Sequence, residues 1–146
     1  MKHKRSSHRF PVADPRQQGQ SLTEMAIFIS LLMLVLAGVI DLGRAYYTYL
    51  SLKDAAAEGA AYASMVPADL AGIESRVRGE SPGGLIDWSE AVVNTTYVDP
   101  PCRGGGVRVE VTISYRFITP FIGAIVGSQS IPLSADVVNT ILAPEC

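Results

Sequence analysis

The side chains from which this sequence could build chemistry are few and unevenly placed. Its two histidines, His3 and His8, fall in the first 19 residues, so the other 127 of the 146 contain none. The imidazole base of the usual Ser/His and Cys/His nucleophile pairs is therefore missing. Cys102 and Cys146 are too far apart for a CxxC redox pair, and no histidine accompanies them toward a zinc site. Asp87, Glu90 and Asp99 are acids that could move protons, yet they form no spaced pair on a recognisable scaffold. Gly104, Gly105 and Gly106 lead into a strand pattern, without the Lys-Ser/Thr of a phosphate loop. No cofactor, no metal and no enzymatic activity is expected. What remains is charge set against an apolar segment.

That segment is Met25 to Ile40, 16 residues without a charge, bounded by Glu24 and Asp41. Lys2, Lys4, Arg5, Arg9 and Arg16 against Asp14 give residues 1–19 a net +4, which leaves −6 on the remainder of a chain whose total is −2. A basic head that ends at an apolar run reads as a topogenic signal, and with Phe10 as its only aromatic it does not read as a nucleic-acid surface. No small-x-small cleavage site follows the run, whose continuation is Asp41-Leu42-Gly43-Arg44-Ala45-Tyr46-Tyr47. A retained single-pass helix is expected, with the N-terminus cytoplasmic and the C-terminal part extracytoplasmic, in the cytoplasmic membrane. Tyr46, Tyr47 and Tyr49 suit the outer interface or the packing of the folded part. Asp41 and Arg44, three apart, form a membrane-interface pair or a solvated one.

Glu24 is costly at the edge of lipid unless it reaches water or finds a partner. Its setting is Gly19-Gln20-Ser21-Leu22-Thr23-Glu24: a glycine closing the basic head, four residues, then the acid and the apolar run. This arrangement resembles a type IV prepilin processing site, which implies cleavage after Gly19 by a membrane prepilin peptidase and a mature chain that begins at Gln20. Cleavage would leave a cationic α-amine on an apolar helix. A carboxylate at the fifth mature position of a neighbouring subunit would neutralise it, so the burial of each charge is compensated only on assembly.

Residues Gln20 through Ala63, with Glu24, the Asp41–Tyr47 run and Glu58-Gly59-Ala60, resemble the TadE-like family of minor pseudopilins of the tight adherence (Flp, type IVb) pilus. Tyr115-Arg116-Phe117-Ile118-Thr119-Pro120-Phe121-Ile122-Gly123 resembles a later segment of the same family. Met25 departs from the pattern, since the pilus processing site often has an aromatic residue there. The resemblance implies partners of three kinds besides the membrane: the prepilin peptidase, other pilin or pseudopilin subunits, and the pilus assembly machinery.

These residues need elements to hold them. The helical period runs from about Ser21 to Val66, which at 1.5 Å per residue is roughly 69 Å, and Pro67 stops it. Beyond the membrane, Leu42, Ala45, Tyr49, Leu52, Ala56, Gly59 and Ala63 form one stripe, with Arg44, Thr48, Ser51, Asp54 and Glu58 on another. The alanines from Ala55 to Ala63 leave room for a flat partner, a sheet. Ala68 to Arg78 is a short amphipathic piece, and Gly79 to Gly84 a breaker. Ala91 to Val98, Val107 to Ile118 and Ser130 to Leu142 read as strands of an antiparallel meander. Thr119 to Gly127 reads as an apolar connector, either core or a contact with a bilayer or another subunit. Cys102 before the middle strand and Cys146 after the last would lie side by side, so a disulfide is expected, contributing about 2–4 kcal/mol in an oxidising compartment.

The fold expected is α+β and pilin-like: a leader over 1–19, a long helix over 20–66 spanning the membrane in its N-terminal half, and an extracytoplasmic domain over 67–146. The function expected is assembly of tight adherence pili. The alternative is an uncleaved, single-pass anchored binding module of the cell envelope.

Overall fold

A computed structural model describes residues 15–79 and 86–143. Its first element is the helix α1, Pro15–Met65, 51 residues long. Proline opens it where its missing N–H costs nothing, and the chain leaves the helix just before Pro67, as the sequence predicts. The described residues fall into two units, the first ending at Ala37 and the second beginning at Gly38.

In the first unit the helix carries apolar side chains on every side. Leu22, Ile27, Phe28, Leu31, Met33 and Val35 are all exposed. Two of its hydroxyls turn back on the helix: Thr23 Oγ1 donates to the Gln20 carbonyl at 2.7 Å and Ser30 Oγ to that of Ala26 at 2.9 Å. Such internal bonds satisfy these two hydroxyls without water, as a lipid environment requires.

In the second unit, α1 is followed by α2 (Leu70–Gly79), a 3-10 turn (Trp88–Glu90), β1 (Val92–Tyr97), β2 (Gly106–Arg116), α3 (Pro120–Val126) and β3 (Ser130–Thr140). The strands form an antiparallel sheet in the order β1-β2-β3, with Val92 opposite Thr112 and Arg116 opposite Ser130. This is the meander that the alternating pattern implies. Val107, Val109, Val111, Ile113 and Tyr115 are buried, and they share a core with Leu52, Ala55, Ala56, Ala60 and Ala63 of α1 and Ile73 and Val77 of α2. The fold is therefore α+β, a long helix packed on a small three-stranded sheet.

Small residues set the closeness of that packing. A Cβ on Gly59 would stand 2.6 Å from Val77 Cγ2 and 3.2 Å from Val109 Cγ1, so glycine lets α1 approach α2 and the sheet together. At the end of α1 the Tyr62 hydroxyl donates to Asp69 Oδ2 at 2.8 Å, while Asp69 Oδ1 accepts the Gly72 N–H at 2.9 Å in the first turn of α2. The last strand is secured by the Leu142 N–H, which donates to the Ser64 carbonyl at 2.8 Å.

Two elements differ from the sequence reading. The apolar connector is a helix, α3, closed by Gly127 in the left-handed conformation at φ 81°. The lower part of the apolar stripe on α1 is also offset: Asp41 and Thr48 are buried, whereas Leu42 and Tyr49 are exposed. The stripe follows the sheet only from Leu52 onward. Nearer the apolar run, at Asp41, the helix meets backbone amides, and these select a polar side chain.

Candidate functional site

The expected processing junction, Gly19-Gln20, lies within α1, which begins at Pro15 and not near Ser21. Gly19 has nothing within 4 Å of the position a Cβ would occupy, so its backbone is open to close approach on that side. Gln20 and Glu24 are one turn apart, and Gln20 Nε2 donates to Glu24 Oε1 at 3.1 Å on the exposed surface. Among the described residues the hydrogen-bond partner of the exposed Glu24 carboxylate is this neutral amide.

The second set of residues surrounds Asp41, the first charge after the apolar run. Its carboxylate is 1% exposed and reaches across to the turn between β2 and α3. Oδ1 accepts the Ile118 N–H at 3.0 Å, Oδ2 accepts the Thr119 N–H at 2.8 Å, and the Thr119 hydroxyl also hydrogen-bonds to it. Because that hydroxyl is engaged here, Thr119 does not cap α3 with its side chain, although it occupies the cap position. The Tyr115 hydroxyl adds a bond to the Asp41 main-chain carbonyl at 3.0 Å. Burial pushes the Tyr115 phenol up from its ordinary pKa, with Arg44 opposing and Asp41 reinforcing, so it stays a neutral donor. Bonds from two amides to one ionised carboxylate are of the strong, charge-assisted kind.

Arg44 plays a smaller part than the pairing of Asp41 and Arg44 implies. Its Nη1 lies 3.6 Å from Asp41 Oδ1, beyond hydrogen-bonding distance, and the side chain is 30% exposed. The guanidinium carbon sits 5.8 Å from the centroid of the Tyr115 ring, a cation–π arrangement. Asp41 and Arg44 are neighbours, but the carboxylate's main partners are the backbone amides. This clamp was hidden from the sequence. The only local sign was an acid at a boundary, and its partners lie 77 and 78 residues further along the chain.

The remaining candidates separate. Asp87 and Glu90 line a cavity of about 180 Å³ together with Arg44, Thr48, Tyr115 and Arg116, while Asp99 is elsewhere. Asp87 is occupied as a cap: its Oδ1 accepts the Ser89 N–H at 3.0 Å and the Ser89 hydroxyl at 2.5 Å. Those bonds hold its carboxyl below the ordinary carboxylate range, which keeps it ionised and makes it a poor proton donor at neutral pH. Among the described residues no group of three or more His, Cys, Asp or Glu is placed to hold a metal ion. Cys102 lies in the turn between β1 and β2, and its expected partner Cys146 is outside the described residues. Tyr46, Tyr47 and Tyr49 are exposed, so these rings do not fill the core.

The described residues form an α+β chain with a small sheet and one long helix that is, by length and composition, apolar enough to cross a membrane. Comparison with protein families narrows this. Residues 19–61 match the family model described as TadE-like protein, the family that the motifs resemble. The match runs from Gly19 through Glu24, the apolar run, Asp41 and Arg44 to Gly59, and ends before the segment at Tyr115–Gly123. No curated protein and no solved structure matches the chain.

Proposed function

We propose that this protein is a minor pseudopilin of tight adherence pilus assembly, held in the cytoplasmic membrane by α1 and cut by a prepilin peptidase after Gly19. The observation that carries the reading is the family match over 19–61, which begins at the glycine and includes Glu24 five residues on. Cleavage creates an α-amine on Gln20 at the end of an apolar helix. Glu24 of an adjacent pilin or pseudopilin subunit neutralises it, and the pairing sets the register between helices. The folded domain lies outside the cytoplasm, with the basic head inside. Cys102 and Cys146 form a disulfide there that ties the sheet's entry turn to the chain's end. The protein is thus a substrate and a structural subunit, not an enzyme.

The test is the intact mass of the protein purified from its native membrane, measured with and without reduction. A chain starting at Gln20 and two hydrogens lighter before reduction is the expected result. A chain that retains residues 2–19 would refute the pseudopilin mechanism and leave the anchored binding module. Glu24→Ala should then abolish recovery of the protein with sheared pili while leaving its membrane level unchanged.

A further inference from the structure

From the sheet domain we infer that α3 is a second, peripheral membrane contact: a short helix seated in the outer lipid interface beside the point where α1 leaves the bilayer. The inference rests on the anchoring reading above, and it assigns to the same bilayer a surface that the anchor does not use. Its occupant is lipid.

The argument begins at Asp41. Ile40 is the last residue of the charge-free run and Asp41 the first charge, so the outer boundary of the apolar layer falls at this turn of α1. The last residues of the run, Gly38 to Ile40, belong to the same unit as the sheet. Bonds of 3.0 Å and 2.8 Å tie the Ile118 and Thr119 amides to the Asp41 carboxylate, and α3 starts at the next residue, Pro120. The N-terminal end of α3 is therefore fastened at the level of the membrane surface. From Thr119 to Ile125 the helix rises only about 9 Å, so the whole element stays near that level.

The surface there is apolar on both elements. Ile118 is 65% exposed, Ile125 84% and Val126 52%, against 60% for Ile40 and 72% for Leu42 on α1. Residues 117–135 contain no charge at all, the longest such stretch in the chain. Within it, Pro120 to Gly127 has no polar side chain, a composition that suits a lipid-facing helix better than a water-facing one. The nearest cations, Arg44 and Arg116, lie at the border of this surface, where a guanidinium can reach anionic headgroups. The ends of α3 are partly satisfied within the chain. Its last turn is closed by the Gly127 N–H on the Gly123 carbonyl at 2.9 Å, and the Gln129 amide donates to the Phe117 carbonyl at 3.0 Å. A second anchor of this kind would present the same face of every subunit along the membrane.

The full chain in vesicles of phosphatidylethanolamine and phosphatidylglycerol tests this, with the photoreactive p-benzoylphenylalanine introduced at one position at a time. Leu34 reports on the anchor and Ile125 on α3. Val138 reports on the far part of β3, eight residues and roughly 26 Å along the strand from Ser130. After irradiation, mass spectrometry should find a one-phospholipid adduct for Leu34→p-benzoylphenylalanine and Ile125→p-benzoylphenylalanine and none for Val138→p-benzoylphenylalanine. Lipid adducts at 34 but not at 125 would overturn this inference alone. A covalent link from 125 to another polypeptide, including a second copy of the chain, would overturn it in favour of a protein partner. Absence of lipid adducts at both 34 and 125 would overturn the anchoring itself. All three positions are exposed, so none of the replacements disturbs the core.

Discussion

Replacing Asp41 by alanine removes the acceptor of two backbone amides at once, and the cost follows from where those amides lie. The Thr119 bond is buried, so losing it leaves a donor cut off from water at about 1–3 kcal/mol. The Ile118 bond is partly buried, so water replaces part of it and the loss is about 0.5–1.5 kcal/mol. The Arg44 contribution is discounted, because at 3.6 Å and 30% exposure the pair resembles a surface ion pair worth less than about 1 kcal/mol. Together Asp41→Ala should destabilise the sheet domain by about 2–4 kcal/mol, a large share of the roughly 5–15 kcal/mol that holds a domain folded. Asp41→Asn keeps one side-chain oxygen as acceptor and should cost about half as much, while Arg44→Met should cost less than about 1 kcal/mol. The assay is urea unfolding of the full chain in detergent micelles, followed by the fluorescence of Trp88, which packs against the core. Amide hydrogen exchange at Ile118 and Thr119 should quicken in Asp41→Ala and remain slow in Arg44→Met. Equal losses in Asp41→Ala and Arg44→Met would show that the ion pair, and not the amide clamp, holds the turn, and would refute the reasoning.

The remaining expectations concern the packing and pH response of the same domain. Gly59→Ala gains about 1 kcal/mol of helix propensity but places its Cβ 2.6 Å from Val77 Cγ2, an overpacking that costs about 1–3 kcal/mol, so a lower urea midpoint is expected, and lower again for Gly59→Val. An unchanged or higher midpoint would mean that α1 and α2 separate without loss. Asp69 is held below its ordinary pKa, first by the Gly72 amide and then by the Tyr62 hydroxyl. A lowered carboxylate pKa stabilises the fold at all pH values above the unfolded value near 4, and the effect is lost as pH falls through the folded value. The stability gap between the native chain and Asp69→Asn should therefore be constant above about pH 5 and close below pH 4; a gap that persists at pH 2 would exclude the carboxylate as its cause.

Much of the architecture is legible along the chain because it depends on local periodicity. The uncharged run from Met25 to Ile40, the stop at Pro67 and the strict alternation from Val107 to Tyr115 each follow from the side chains of consecutive residues, and the structure has the helix, its end and the central strand where these place them. The alanines from Ala55 to Ala63 likewise announce a close flat partner, and the sheet meets them. The spacing of Gly19, Gln20 and Glu24 is likewise read from consecutive residues, and the structure has all three on α1.

What escaped the sequence involves partners distant along the chain. Alternation of apolar and polar residues cannot foretell that the buried face of α1 changes character below Leu52. That change depends on the turn at Ile118 and Thr119 presenting two N–H groups to the helix there. For the same reason the sequence shows the pairing of Asp41 with its i+3 neighbour Arg44, which the structure has at 3.6 Å, but not the closer bonds from amides 77 and 78 residues away. The helicity of α3 was hidden too, since seven residues are too few to display a period and its limits are set by the Asp41 contact at one end and Gly127 at the other. By itself the sequence determined the membrane-length helix, its charge bias and the strands, all governed by the solvent each residue must face. Only the tertiary structure decided which backbone groups Asp41 satisfies and how α3 is fastened to α1, because a buried hydrogen bond is defined by two groups meeting and not by either one alone.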